Sequence, residues 1–227
     1  MSDRWISFDC FGTLVDWNGG FRRALEPFAG KEVDRLVEDY HRMERIVEST
    51  LPHVSYREVL ASTLRQAAER CGIRCSRRDS EIISDSWKLL QPFSDVESTL
   101  ASLRHSGYRL AVLTNCDNDL FEITHSQFNE RFDLVITAED VKDYKPSLSH
   151  FRQFERITGA GEEDWIHAAC SWYHDIVPAA KLKIPSVWLD REDSGEDPSL
   201  ASIRIRSASQ LIEAVDRIGS TRGRPNG

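Results

Sequence analysis

Ile6-Ser7-Phe8-Asp9-Cys10-Phe11-Gly12-Thr13-Leu14-Val15-Asp16 runs an apolar stretch straight into a carboxylate, and a Gly-Thr turn follows. A strand that ends in Asp9, with a glycine in the loop beyond it, exposes the carboxylate and lets backbone N–H groups gather around an anion. Asp9 is therefore a candidate nucleophile. The same letters also spell an Asx turn or a helix cap, so the reading depends on what else converges on this point.

Three further polar clusters follow apolar runs of the kind that form buried parallel strands. Leu110-Ala111-Val112-Leu113 leads into Thr114-Asn115, and Leu134-Val135-Ile136-Thr137 leads into a loop carrying Lys145-Pro146. Ile166-His167-Ala168-Ala169-Cys170 leads into Ser171-Trp172-Tyr173-His174-Asp175. Open α/β sheets bind ligands beyond the carboxyl ends of their strands. A carboxylate, a hydroxyl, an ammonium and a second carboxylate would thus meet in space although they are scattered along the chain.

Between the first cluster and the second, residues 17–93 show helical rather than alternating apolar spacing, which predicts an inserted helical cap. Val33, Leu36, Val37, Tyr40, Met43 and Val47 fall on one helical face, and Tyr56, Val59, Leu60, Thr63, Leu64 and Ala67 on another. Ser55 and Glu58 have the spacing of a capping box, so a helix starts at Tyr56, with Pro52 marking the break before it. Beyond Phe93 the pattern alternates: helix over 96–103, strand over 110–114, helix over 120–128, strand over 134–137. Further strands are expected at 166–170, 187–189 and 203–205, and a helix at 208–218. This alternation predicts an α/β fold with a Rossmann-like parallel sheet and right-handed crossovers. The core takes residues 1–16 and 94–219, the cap takes 17–93, and 220–227, rich in Arg, Gly and Pro, is expected to be a disordered tail.

The 227 residues suffice for a well-buried core with one modest insert. A formal charge of −8 and a pI near 5.4 argue against nucleic acid or an anionic membrane as partner, since either calls for a basic face. No signal peptide and no long apolar span is apparent, so a cytoplasmic location is expected. The cysteines Cys10, Cys71, Cys75, Cys116 and Cys170 form no regular framework, which suggests free thiols in a reducing compartment. They read as small buried apolar groups rather than as a thiol nucleophile or a metal site.

Taken together and in order, the four clusters resemble the motifs of the haloacid dehalogenase superfamily, and within it the two-haloacid dehalogenase branch. Residues 9–16 resemble its first motif, Thr114-Asn115 the second, Lys145-Pro146 the third and Asp175 the fourth. The resemblance implies that Asp9 attacks substrate to form a covalent ester that water then hydrolyses. Lys145 would keep Asp9 ionised, and Asp175 would orient Lys145 or the water. The expected substrate-binding set is Cys10, Phe11, Thr13, Thr114, Asn115, Ser171 and Trp172; of these, the resemblance implies that Thr114 binds a substrate carboxylate or phosphate, that Asn115 helps to hold a leaving halide and that Thr13 hydrogen-bonds the nucleophile or the intermediate. Asp175 could equally cap the helix that runs through Ile176, Ala179 and Leu182.

Two departures from the superfamily's phosphatases bear on substrate. Phosphatases carry a general-acid aspartate two residues after the nucleophile; here that place holds Phe11, and losing such an acid costs about 10² to 10⁴ in rate. A halide leaves without a proton. Their Mg²⁺-binding aspartate lies four or five residues before the position of Asp175, where this chain has Ser171 and Cys170, poor partners for a hard cation. No metal and no cofactor is therefore expected. The dehalogenase branch in turn cradles halide with a cap arginine, and Glu38 stands at that position here, with His41, Arg42 and Arg45 nearby; Arg42 and Arg45 are the candidates for the cation, and Arg42 joins the expected substrate-binding set. Phe151 stands where those enzymes have a tyrosine, and Phe11, Trp17 and Trp172 could wall an apolar pocket.

The resulting expectation is a hydrolase that cleaves the carbon–halogen bond of a small, anionic 2-haloalkanoic acid through Asp9. A phosphatase of a small metabolite, or a binding protein on the same fold, are the rivals, and a homodimer stays open.

Overall fold

The computed structural model describes residues 3–50 and 53–222. Six parallel strands form one sheet: β1 (Arg4–Phe8), β2 (Tyr108–Thr114), β3 (Leu134–Thr137), β4 (Trp165–Ala169), β5 (Ser186–Leu189) and β6 (Ile203–Ile205), in the order β3-β2-β1-β4-β5-β6. Chain direction around the sheet reverses at β1, so the crevice between the ends of β1 and β4 is the switch point at which such sheets bind ligands. Four of β1's five residues and all five of β4's are buried, as strands covered on both faces must be.

The helices α1 (Trp17–Ala29), α2 (Val33–Thr50), α3 (Tyr56–Arg70) and α4 (Ile82–Asp85) all lie between β1 and β2. Asp16 starts α1 by accepting from the Gly19 N–H at 2.9 Å. The expected capping box is present at α3: the Ser55 hydroxyl receives the Glu58 N–H and the Glu58 carboxylate receives the Ser55 N–H. Leu36 and Tyr40 of α2 and Val59, Leu60 and Leu64 of α3 are buried in the same apolar cluster as Phe8, Val15 and Val112 from the sheet side. The insert is thus packed continuously onto the sheet.

The remaining helices are α5 (Val96–His105), α6 (Asn118–His125), α7 (Ala138–Val141), α8 (Ser149–Thr158), α9 (Val177–Lys181) and α10 (Leu211–Arg222). α6 starts and stops earlier than the apolar spacing suggested, because Phe128 is buried from a loop rather than from a helix. The final helix opens as a 3₁₀ turn at Ala208–Gln210 and runs on to Arg222, so residues 220–222 are helical and not tail; Ser220 Oγ donates back to the Asp216 carbonyl at 2.8 Å. Pro52 and the rest of the expected tail lie outside the described residues. Among the described residues no helix is long and apolar enough to cross a membrane.

Candidate active site

Asp9 follows β1 directly, and its N–H is fixed by the Ala168 carbonyl at 3.1 Å. The loop after it folds back so that the Leu14 N–H reaches the Cys10 carbonyl at 2.8 Å and the Gly12 N–H reaches the Val15 carbonyl at 2.8 Å. Gly12 has φ of +85°, and a Cβ there would stand 2.7 Å from Cys170 Sγ, so both conformation and space require glycine. The loop places the Thr13 hydroxyl to donate to Asp9 Oδ2 at 2.7 Å while accepting from the Cys170 N–H at 2.8 Å. Thr13 therefore ties the nucleophile loop to the loop after β4.

Lys145 comes from the loop between α7 and α8 and is 1% exposed. Its ammonium has three donors and all are used: Asp9 Oδ1 at 2.9 Å, Asp175 Oδ1 at 2.7 Å and the Leu113 carbonyl at 2.8 Å. Burial alone would push this lysine toward neutrality, but Asp175 and Asp9 outweigh it and raise its pKa. Burial likewise works against the charge of Asp175, yet Lys145 and His167 hold its carboxyl below the usual range. Both partners favour the charged form.

A second tier supports these groups. Asn115 clasps the Lys145 backbone at two points, accepting from its N–H at 2.7 Å and donating to its carbonyl at 3.1 Å. His167, opposite Ser7 in the β1–β4 register, meets Asp175 Oδ1 through Nε2 at 3.1 Å and Ser7 Oγ through Nδ1 at 2.8 Å. The indole of Trp165 donates to the same Ser7 hydroxyl at 2.7 Å. An ionised carboxylate only accepts, so Nε2 carries a proton, and in the single-proton tautomer Nδ1 accepts from Ser7. His167 is a support that the sequence reading did not single out. Its place inside an otherwise apolar strand was the available signal.

A cavity of about 710 Å³ opens over Asp9. Asp9, Phe11, Thr114, Asn115, Lys145, Ser171 and Asp175 of the expected set all line it. The Thr114 hydroxyl and Asp175 Oδ2 have no hydrogen-bond partner among the described residues. Thr13 and Cys10 lie behind this wall, each fully buried; Thr13 acts through Asp9, and burial pushes the Cys10 thiol well up. Phe11 packs against Trp17 and Trp87, both at 5.1 Å between ring centroids. Phe151 is buried under the site with its ring against His167 at 5.0 Å.

Two expected contacts are not made. Arg42 points away from the cavity: it pairs with Asp39 and Glu38 of its own helix and its side chain is 53% exposed. The face of α2 that reaches the cavity is His41, Glu44, Arg45 and Glu48, in i, i+3, i+4, i+7 spacing, and Arg42 lies about 100° around from His41. Trp172 is drawn off by the Asp197 carbonyl, to which its indole N–H donates at 3.0 Å, and is absent from the cavity lining. A third correction concerns Asp175, which is no helix cap. Ser171 fills that role, accepting from the His174 N–H at 3.1 Å, and Asp175 sits inside the π-turn of Trp172–Ile176 that precedes α9.

The polar groups of α2 and His174 complete the cavity; His41 and Arg45 were among the cap residues named from sequence, whereas Glu44, Glu48 and His174 were not assigned. Glu44 accepts from Tyr56 Oη at 2.7 Å and Tyr40 Oη at 3.3 Å, and burial, aided by Glu48, pushes its carboxyl up to about 7. Glu48 accepts from Asn115 Nδ2 at 3.4 Å and faces His174 Nε2 at 3.4 Å. His41 is held down to about 4 by burial and by Arg45.

Residues 8–188 match the family model described as haloacid dehalogenase-like hydrolase. The chain is 24% identical over 222 residues to an (S)-2-haloacid dehalogenase of Pseudomonas sp. (strain YL), covering 92% of this chain and 94% of that one. It is 27% identical over 135 residues to a glyceraldehyde 3-phosphate phosphatase of Methanothermobacter thermautotrophicus, covering 56% of this chain and 60% of that one. Among solved structures, the L-2-haloacid dehalogenase of Xanthobacter autotrophicus with chloropropionic acid covalently bound superposes with a TM-score of 0.82 at 14% identity, covering 94% of this chain and 98% of that one. With the family model spanning β1 to β5 and every motif meeting at one sheet edge, the chain belongs to the haloacid dehalogenase-like hydrolases.

Proposed function

We propose that this chain hydrolyses the carbon–halogen bond of small 2-haloalkanoic acids through an aspartyl ester on Asp9, with residues 17–93 acting as the cap that closes over the reacting carbon. The observation that carries this reading is the single ammonium of Lys145 held between Asp9 and Asp175 at 2.9 and 2.7 Å. It balances two carboxylates from within the chain. An Asp9 oxygen attacks the carbon that bears the halogen, a bond from that oxygen to carbon forms, and the halide leaves with the bonding electron pair. Lys145 and Thr13 each donate to one oxygen of Asp9, which fixes the orientation of the carboxylate. The Thr114 hydroxyl supplies a donor for the substrate carboxylate. Water then attacks the Asp9 carboxyl carbon of the ester, and the bond from that carbon to the ester oxygen breaks. One water proton passes to that oxygen as the 2-hydroxy acid leaves, the other is released to solvent as the Asp9 carboxylate is restored, and Asp175 Oδ2 is the unpartnered acceptor that orients the water. Burial, with Asp9 next, raises the Cys170 thiol, so it stays protonated and does not compete as nucleophile.

Phosphate-ester hydrolysis is the second reading, favoured by the match to a glyceraldehyde 3-phosphate phosphatase. Phe11 opposes it, because a phenyl ring beside the nucleophile offers no proton to a departing alkoxide. The deciding measurement is halide release from 2-chloropropionate beside phosphate release from a generic phosphate ester, each after chelation and after added Mg²⁺. Halide release that is indifferent to chelation is expected. Phosphate release that requires Mg²⁺ would overturn the dehalogenase reading.

A further inference from the structure

The branch that this chain resembles cradles halide with a cap arginine, and here Arg42 is turned out to solvent while Asn115 is already engaged. The two donors of Asn115 Nδ2 go to the Lys145 carbonyl at 3.1 Å and to Glu48 at 3.4 Å. A leaving halide that sought this amide would have to displace a carboxylate. The cavity as a whole is acidic: its lining holds Asp9, Asp16, Glu44, Glu48, Asp175, Asp190 and Glu192, and two of its arginines are committed elsewhere, Arg191 to Asp95 and Arg206 to Asp193.

His174 is differently placed. It lines the same cavity and stands next in sequence to Asp175. Its Nδ1 lies 3.0 Å from Ser171 Oγ, which fixes the ring. Its Nε2 lies 3.4 Å from Glu48 Oε2, close enough for an ion pair but outside hydrogen-bond geometry, and has no hydrogen-bond partner among the described residues. The imidazolium therefore has its charge compensated while one N–H remains to be given.

Resting on the dehalogenation reading, we infer that His174, held by Glu48 and Ser171, is the catalytic residue that receives the leaving halide. As the bond from Asp9 oxygen to carbon forms and the carbon–halogen bond breaks, the halogen takes the electron pair and accepts a hydrogen bond from Nε2–H; no proton is transferred. Because Glu48 neutralises the imidazolium, the product halide is not trapped on a bare buried cation. The groups that set the charge of His174 are Glu48 and Glu44 on α2, Lys145 above the sheet and Asp175 beside it. Burial opposes the imidazolium but the Glu48 contact outweighs it, so its pKa is raised. Activity should accordingly fall as pH rises through this raised value. Glu48→Gln, which keeps an oxygen for Asn115 and removes the charge, should move that alkaline limb to lower pH.

The test is a leaving-group series on 2-halopropionates with wild type and His174→Gln. The expected result is a loss in kcat/KM of tenfold or more with chloride that shrinks through bromide to iodide, since better leaving groups need less help. A loss equal across the series would mark a structural role and overturn the assignment. Bromide titration of the wild-type protein, followed through the His174 imidazole by NMR, reads the site without turnover. A shifted resonance and a raised His174 pKa are expected, and silence at His174 overturns the inference. Should wild type release no halide while His174 responds to bromide, the reaction reading fails and the halide site stands.

Discussion

Lys145 spends every proton-bearing position it has on Asp9, Asp175 and the Leu113 carbonyl, so it is a fixed charge and not a proton carrier. This separates the tasks of the three central residues. Asp9 lines the cavity with Lys145 on Oδ1 and with Thr13, joined by the longer Cys170 Sγ contact at 3.9 Å, on Oδ2, so each oxygen keeps a lone pair for attack. Asp9→Asn keeps the size of the side chain and leaves the Lys145–Asp175 pair intact, so thermal unfolding should change little. Halide release should fall on the order of 10⁶-fold, the scale of removing a nucleophile from a covalent hydrolase. Substantial turnover surviving in this variant, after controls for deamidation, would sink the aspartyl-ester mechanism.

At the scale of elements, α2 decides which cap side chains reach the reacting carbon. Its apolar face is buried with Leu36, Tyr40 and Val47, and the adjoining stripe of His41, Glu44, Arg45 and Glu48 turns to the cavity. Arg45 lies on that stripe with its guanidinium 5.7 Å from the Tyr173 ring, whereas Arg42 belongs to a surface patch with Arg35, Glu38, Asp39 and Arg70. Arg45→Ala is expected to raise KM for an anionic haloacid by roughly ten- to a hundredfold, the worth of a charge-assisted hydrogen bond of roughly 1.5–3 kcal/mol. Arg42→Ala should leave both kcat and KM near wild type, because Arg42 is absent from the cavity lining and pairs with Glu38 and Asp39 of its own helix. A larger effect at Arg42 than at Arg45 would refute this orientation of α2. The strands that carry the motifs were legible because Ile, Val, Leu and Ala runs buried on both faces have few alternative structures. So were the capping box at Ser55 and the apolar faces of α2 and α3. Glu44, Glu48 and His174 were not legible as lining, and neither was the choice among the cap cations. A 100° step along one helix separates Arg42 from His41, and nothing in the residue types says which side faces substrate. Trp172 was misplaced for a similar reason: its partner, the Asp197 carbonyl, is 25 residues away on an unpatterned loop.

Across the whole molecule, a chain of buried polar groups runs from Trp165 through Ser7, His167, Asp175 and Lys145 to Asp9, threading from the middle of the sheet to its carboxyl edge. Such a chain is satisfied only as a unit, and Lys145 is its single cation at the point where two carboxylates meet. Lys145→Met preserves much of the volume and strands Asp9 and Asp175 as uncompensated neighbours; removing one partner of a buried pair costs about 3–5 kcal/mol. The pH dependence of that loss fixes its cause. In the wild type, the lowered Asp175 pKa contributes stability that is present above the unfolded carboxylate value and is lost as pH falls through the folded one. In Lys145→Met the sign reverses, because the burial that Lys145 had offset lifts the folded pKa of Asp175 above its unfolded value. The resulting penalty is absent below about pH 4, the unfolded aspartate value, and grows as pH rises above it. Denaturant unfolding of the two proteins between pH 4 and 8 should therefore show stabilities that converge at the acidic end. Adding Asp175→Asn to Lys145→Met should recover part of the loss at pH 7 by removing one stranded charge. A deficit that stays constant across this range would mean that the lysine holds the fold by packing alone, and that the ion pair is not what closes the sheet edge around Asp9.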